Sequence, residues 1–290
     1  MALLEILFLI VFWAWFCTAV LFLRQTFLPR APLLSGPIRW SEQQVQAVTF
    51  PATDGVRLSG WKITVDPSRP WIILCHGLGA NRTDLLDIAS GLTNARYNVF
   101  LFDFRAHGES EGRTTSFGWI EQRDVEGALV FLGSQPDVPD RPYGVFGVSM
   151  GGAAAVMVAA RDERLGAVVV DSIYSNLEDS LAHHLQWLYR LPRLPFGWFV
   201  NTAYRLRFGV WPSRVAPIVA VGKLSPRPLL IIHGEQDPRM PLEAAKRLFE
   251  AAGEPKDLWI LPTTDHSGGF YLNPDAYLRR LTDFFDAHLA

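Results

Sequence analysis

Only two cysteines, Cys17 and Cys75, occur in 290 residues. One lies in an apolar N-terminal run and the other closes a core-strand pattern, so no disulfide framework is implied. Net charge is equally scarce. The 27 Lys and Arg nearly balance 29 Asp and Glu, leaving −2, which provides no global attraction to nucleic acid. There is no internal repeat and no low-complexity tract. No G-x-G-x-x-G follows a strand, and neither a P-loop nor a zinc-ligand spacing is present, so no cofactor and no metal are expected. His183 and His184 are adjacent, but neighbours on a helix diverge by about 100°. With no third ligand at a metal-site spacing, they read as surface or pocket-lining residues.

Two local absences carry more information. Residues 6–23 contain no charge and are rich in Leu, Phe, Ile, Val and Trp. A helix of that length spans about 27 Å, close to the thickness of a bilayer core. Glu5 precedes it; Arg24 and Arg30 follow. Residues 1–24 therefore read as a single-pass transmembrane anchor. A cleaved signal peptide is the alternative, because Cys17-Thr18-Ala19 has the small-x-small form of a cleavage site. Against it, no Lys or Arg precedes the run, and the run continues past that site. The basic flank after the helix places the globular part in the cytoplasm by the positive-inside rule. Residues 25–44, with Pro29, Pro32, Pro37 and Gly36, read as an extended linker.

The second local absence is acidic. Residues 180–215 hold five arginines (Arg190, Arg193, Arg205, Arg207, Arg214) and no Asp or Glu. Trp187, Tyr189, Phe196, Trp198, Phe199, Tyr204, Phe208 and Trp211 interleave with them. Pro192, Pro195 and Pro212 break the stretch into short helices. One reading is packing alone, with aromatics buried and arginines snorkelling. The other is a face toward a lipid surface, since Trp and Arg suit the interface and anionic headgroups. Burial of both Trp198 and Phe199 would argue against the lipid reading.

Between these features the chain alternates. A hairpin pattern spans 45–65 around Asp54-Gly55. Strand patterns follow at 71–75, 97–102, 143–148, 166–171, 228–233 and 257–261. Helix patterns stand near 82–93, 118–133, 150–161, 241–252 and 275–288. Strands alternating with helices predict an α/β class, with a mostly parallel sheet covered on both faces and an antiparallel hairpin at its edge.

Gly147-Val148-Ser149-Met150-Gly151 then reads as strand, sharp turn, helix, with a serine at the apex. The glycines fit a turn where strand and helix pass too close for a Cβ. The turn exposes the hydroxyl and aims a helix N-terminus at whatever it attacks. A short pattern needs its context. A serine nucleophile requires a histidine base, itself oriented by a carboxylate. Asp237 follows the strand pattern 228–233, and His266 follows the strand pattern 257–261. Both lie just past strand ends, where open α/β sheets form their sites. A capping serine at 149 and an unpartnered loop histidine at 266 are the plain alternatives. Asp171, after the run 167–170, is a rival acid, and Asp265 adjoins the histidine.

In these residues the chain resembles the α/β-hydrolase superfamily, over about residues 45–290. His76-Gly77-Leu78-Gly79 is similar to the family's oxyanion loop. Asp103-Phe104-Arg105-Ala106-His107-Gly108-Glu109-Ser110 is similar to its D-x-R-x-H-G-x-S turn, with Ala106 where a glycine is common. The elbow, Gly234-Glu235-Gln236-Asp237 and Asp265-His266-Ser267 complete the order. The resemblance implies the α/β-hydrolase fold, with Ser149 as nucleophile, His266 as general base and Asp237 as orienting acid. It implies the backbone N–H groups of Met150 and Leu78 as the oxyanion hole. His76 and His107 read as loop braces. The insertion 172–222 is expected to be a helical cap. The triad chemistry is acyl transfer to water at an ester or thioester, and a cap that faces a lipid surface beside a membrane anchor points to an apolar, lipid-like acyl group. A peptidase on the same fold and an inactive scaffold that binds a partner through its cap are the alternatives. A dehalogenase would carry aspartate at the elbow.

Overall fold

The computed structural model describes residues 2–27, 33, 40 and 44–289. Most of the expected linker 25–44 lies outside the described residues. The strand patterns form one eight-stranded mixed sheet in the order β1-β2-β4-β3-β5-β6-β7-β8. The strands are β1 (Val45–Pro51), β2 (Arg57–Ile63), β3 (Trp71–Cys75), β4 (Asn98–Phe102), β5 (Tyr143–Val148), β6 (Leu165–Asp171), β7 (Leu229–Gly234) and β8 (Lys256–Leu261). The β1–β2 hairpin is antiparallel at the edge and β2 runs antiparallel to β4. All later pairings are parallel. This is the α/β architecture that the alternation predicts.

The central strands β3 to β5 are buried on both faces, so their side chains are apolar runs and not alternations. Helices cover each face. On one side lie α3 (Gln122–Gly133), α4 (Ser149–Ala159), α7 (Pro217–Val221) and α8 (Leu242–Ala251); their apolar residues join Ile73, Val145 and Val168. On the other side lie α2 (Leu86–Asn94) and α10 (Pro274–Leu289), whose Leu92, Leu281 and Phe285 pack on Leu74, Phe146 and Leu230. A short helix, α9 (Gly269–Leu272), precedes α10.

The helix expected at 118–133 begins only at Gln122. The Glu121 carboxylate is buried and accepts from Thr115 Oγ1, Ser116 N, Ser116 Oγ and Gly118 N, so the chain before it coils around that side chain. Four donors around one carboxylate compete with a helical turn.

Between β6 and β7 stand α5 (Leu177–Tyr189), α6 (Arg193–Phe208) and α7. Asn176 caps α5 through its side chain on Glu178 N. Arg190 ends that helix in the left-handed region, and Pro192 separates it from α6. Ala220 and Val221 of α7 belong to the sheet's core, so only α5 and α6 lie over the site edge. The cap aromatics divide by type. Phe199 is 2% and Tyr204 0% exposed, whereas Trp198 is 57% exposed and Trp187 and Trp211 also face outward.

Helix α1 (Ala2–Gln25) carries one apolar stretch, Leu4–Gln25, long enough to cross a membrane. From Leu4 to Trp13 it is exposed on every side. Its last turns are not: Thr18, Ala19 and Phe22 are buried against the cap. The Phe22 ring lies 6.0 Å from Phe117 and 6.1 Å from Tyr204. One buried Phe contributes about 1.5–3 kcal/mol, so the junction is held by packing.

Candidate active site

β5 ends at Val148, and the chain reverses into α4 through Ser149, whose φ is +51°. A non-glycine residue in this region is strained, and such strain concentrates at functional positions. The close approach expected of the flanking glycines is present. A Cβ on Gly151 would stand 2.3 Å from the His76 carbonyl oxygen, and one on Gly147 2.5 Å from Gly152 Cα. Helix, elbow strand and β3 end are thus pressed together with no room for a side chain.

His266 stands in the loop after β8, facing the elbow. Its Nε2 lies 3.1 Å from Ser149 Oγ, and its Nδ1 lies 2.6 Å from Asp237 Oδ2. Asp237, in the loop after β7, accepts at Oδ1 from the backbone N–H groups of Arg239 (2.8 Å) and Met240 (2.9 Å). Those bonds fix the carboxylate so that its other oxygen faces the imidazole. The two loops are stitched together by Gln236 N donating to the Thr264 carbonyl at 2.9 Å. Buried His233 on β7 donates from Nε2 to the Met240 carbonyl at 2.9 Å, a brace on the acid loop that no sequence pattern announced.

The rival acid Asp171 has other partners. Its Oδ2 accepts from Tyr277 O–H at 2.6 Å and its Oδ1 from Ser172 O–H at 2.8 Å. Ser172 Oγ in turn accepts from Ser267 N at 3.1 Å. Burial pushes the Asp171 carboxyl above the usual carboxylate range, and the Tyr277 and Ser172 hydroxyls oppose that shift. Asp171 therefore braces the loop that carries His266.

The His76–Gly79 stretch passes directly over the serine: a Cβ on Gly77 would sit 3.5 Å from Ser149 Cβ. His76 Nε2 accepts from Phe104 N (3.0 Å), which leaves Nδ1 protonated and donating to the Gly77 carbonyl (2.8 Å). His107 Nε2 accepts from Gly79 N (3.1 Å), and its Nδ1 donates to the Arg105 carbonyl (2.8 Å). Each ring is thus an acceptor at one nitrogen and a donor at the other. Burial pulls the His76 pKa down to about 3, with the nearby His107 adding to the effect. Asp103 receives the N–H groups of Arg82 and Glu109 and the Arg82 guanidinium, tying that turn to the same loop.

Two cavities meet at Ser149. The first runs under the cap between Leu78, Met150, Leu185 and Val200. The second opens past His266 toward Asp84, Arg239 and Tyr271. His184 borders both, whereas His183 lines a separate groove with Asp179 and Arg247, its Nε2 2.8 Å from the Pro238 carbonyl. The first cavity has a wall that the sequence reading did not assign: Thr18, Leu21, Phe22 and Gln25 of α1. Their spacing of i, i+3, i+4 and i+7 is one helix face. Uniform apolarity hid that face, and the pair Thr18 and Gln25 was its one polar mark.

Comparison with known proteins identifies the family. The model of the alpha/beta hydrolase family matches residues 72–280. The chain belongs to the α/β-hydrolase family. Among curated relatives, YfhR of Escherichia coli (strain K12), an uncharacterized protein, is 30% identical over 86% of this chain and 82% of its own. YqkD of Bacillus subtilis (strain 168), also uncharacterized, is 27% identical over 85% of this chain and 81% of its own. Among solved structures, the Pyrococcus furiosus esterase Pf2001 superposes with a TM-score of 0.73 at 23% identity, covering 91% of this chain and 98% of that one. At that identity the likeness concerns the fold.

Proposed function

We propose that the protein is a serine hydrolase that cleaves carboxylic ester or thioester bonds of apolar acyl substrates at a membrane. One observation carries the reading: His266 bridges Ser149 Oγ at 3.1 Å and Asp237 at 2.6 Å. The nucleophile–base–acid chain of hydrogen bonds is the arrangement that activates a hydroxyl.

In this mechanism Ser149 Oγ attacks the acyl carbon as His266 Nε2 takes its proton. Asp237 holds Nδ1–H and stabilises the imidazolium. Charge on the former carbonyl oxygen meets the N–H groups of Met150 and Leu78. Met150 lies in the first turn of α4, where N–H groups have no intrahelical acceptor. One such donor is worth about 2.7–4 kcal/mol of the barrier. His266 then protonates the departing alkoxide or thiolate, leaving an acyl-serine. Water, deprotonated by the same imidazole, releases the acid and restores Ser149. The apolar cavity under the cap suits the acyl chain; the cavity with Asp84, Arg239 and Tyr271 suits a polar leaving group. The outward Trp187, Trp198 and Trp211 and the apolar α1 support placement at a lipid interface, with Arg24 favouring a cytoplasmic domain. Phe199, being buried, takes no part in that face.

The test is labelling of membrane fractions with a fluorophosphonate, comparing the natural chain, Ser149→Ala and His266→Ala. Labelling of the natural chain that disappears in both variants is expected. A folded natural chain that resists the probe and cleaves no ester would overturn the reading in favour of a binding scaffold.

A further inference from the structure

The cavity under the cap is closed on one side by an element that a tether has no reason to contribute. We propose that the last two turns of α1 form a wall of the acyl-binding pocket, so that the membrane helix selects the acyl chain as well as holding the protein. The proposal rests on the serine-hydrolase reading for its chemistry but not for its geometry.

Thr18, Leu21, Phe22 and Gln25 make one stripe along α1, and all four border the cavity that ends at Ser149. The same stripe meets Leu185 and Leu188 of α5 across the cavity. Its polar atoms are turned to other use. Thr18 Oγ1 donates to the Ala14 carbonyl at 2.7 Å, which leaves a methyl group for the cavity. The Gln25 amide reaches Tyr189 O–H at the rim. The end of the helix is fixed, because the Thr26 carbonyl accepts Thr115 N at 3.0 Å and Thr26 is fully buried. Burial also lowers the pKa of His184, the ring that faces the same space, which disfavours its charged form there. A hydrocarbon chain meets no charge along this path.

Depth points to the occupant. The span Leu4–Gln25 has 22 residues, about 33 Å of helix, against a hydrocarbon core of about 30 Å. The part that stands clear of the protein ends at Trp13, after about 15 Å, so a spanning α1 must bring its docked turns to the level of the membrane. Leu21 and Leu188 are each bordering residues that remain partly exposed, and together they form an apolar lip at that level. The chain that enters there is an acyl chain of a lipid in the adjoining leaflet, moving laterally without crossing water.

The test uses the full chain in phosphatidylcholine nanodiscs. Palmitate with a terminal diazirine is photolysed in place, with and without excess unlabelled palmitate, and adducts are mapped. In parallel, kcat/KM is measured for butanoyl and dodecanoyl p-nitrophenyl esters. Leu21→Trp narrows the wall; Val20→Trp, on the opposite side of α1, is the control. Competed adducts are expected in both 18–25 and 181–191, lost in Leu21→Trp and kept in Val20→Trp. The dodecanoyl-to-butanoyl ratio should fall roughly tenfold or more in Leu21→Trp, the scale of a few displaced methylenes. Competed adducts confined to the cap, or equal profiles for the two tryptophan variants, would overturn the wall. Competed adducts on α1 without cleavage of either ester would leave the wall standing and remove the hydrolase reading. Cleavage without competed adducts on α1 would do the reverse.

Discussion

Asp237 and Asp171 both lie at the ends of strands beside the imidazole, and only their hydrogen bonds distinguish them. Asp237 presents one oxygen to His266 and has the other held by two backbone N–H groups, whereas Asp171 is occupied by Tyr277 and Ser172. Asp237→Asn should therefore lower kcat by roughly 10³–10⁴, the scale of a lost orienting acid. Asp171→Asn should keep kcat within about tenfold and act on stability, since it loosens a loop and not the reacting atoms. A steady-state assay of the two variants decides it, and equal losses would refute the assignment. Chain order alone left both acids open, because the pattern shows where a carboxylate stands and not what it touches. His76 gives a pH prediction at the same scale. Its pKa is about 3 when folded against 6.5 when free, so between these values the unfolded chain holds the extra proton. Stability then rises with pH through this window and falls on acidification. Between pH 6.5 and pH 5 the loss amounts to about 2 kcal/mol. Urea unfolding in detergent at several pH values should show His76→Gln with a shallower slope than the natural chain by about one proton. Parallel slopes would exclude His76 as the source.

At the scale of elements, the strands and helices of the sheet were readable within a few residues because each obeys a period that burial enforces. The exceptions have local causes. Residues 118–121 are not helical because the Glu121 carboxylate gathers the donors around it. Helix α7 falls within the expected cap, yet its Ala220 and Val221 complete the core, which a sequence cannot show when both surroundings are apolar. The elbow was legible because its glycines have no substitute. Gly151→Ala would put a Cβ 2.3 Å from one backbone carbonyl oxygen and 2.6 Å from another, and neither can swing away as a side chain does. Loss of fluorophosphonate labelling or of folded protein is expected. Gly197→Ala in α6 is the contrast: its Cβ would meet only Arg193 Cγ at 3.6 Å. Removing a helical glycine there should raise stability by about 0.5–1 kcal/mol, visible as a higher melting temperature with unchanged labelling. A lower melting temperature would mean that the cap helix needs glycine for a reason its packing does not display.

For the whole molecule, the expected order of anchor, linker and hydrolase domain leaves out how the described residues pack. Helix α1 docks on α6, so the walls of the apolar pocket come from residues more than 150 positions apart, Thr18 and Leu185 among them. This packing bears on the choice between anchor and signal peptide. Cutting after Ala19 would separate Thr18 and Ala19 from Phe22 and open the cluster that holds Val200, Ala203 and Tyr204. A signal peptide that must leave should not be the inner surface of a core. Retention of the helix would make a measurable difference. With an N-terminal epitope, the full chain should stay in the membrane pellet through alkaline carbonate extraction with the epitope attached, and protease added to sealed inverted vesicles should digest the globular part. A chain beginning just past Ala19, recovered from the soluble fraction, would instead make α1 a leader sequence. The cap would then need another surface to cover Phe117 and Tyr204, because those rings face α1 and a water-exposed pair at the mouth of an apolar cavity costs free energy in proportion to its area. Retention would keep them covered by the same residues that border the cavity at Ser149, so that under the proposal one helix serves both membrane attachment and acyl selection.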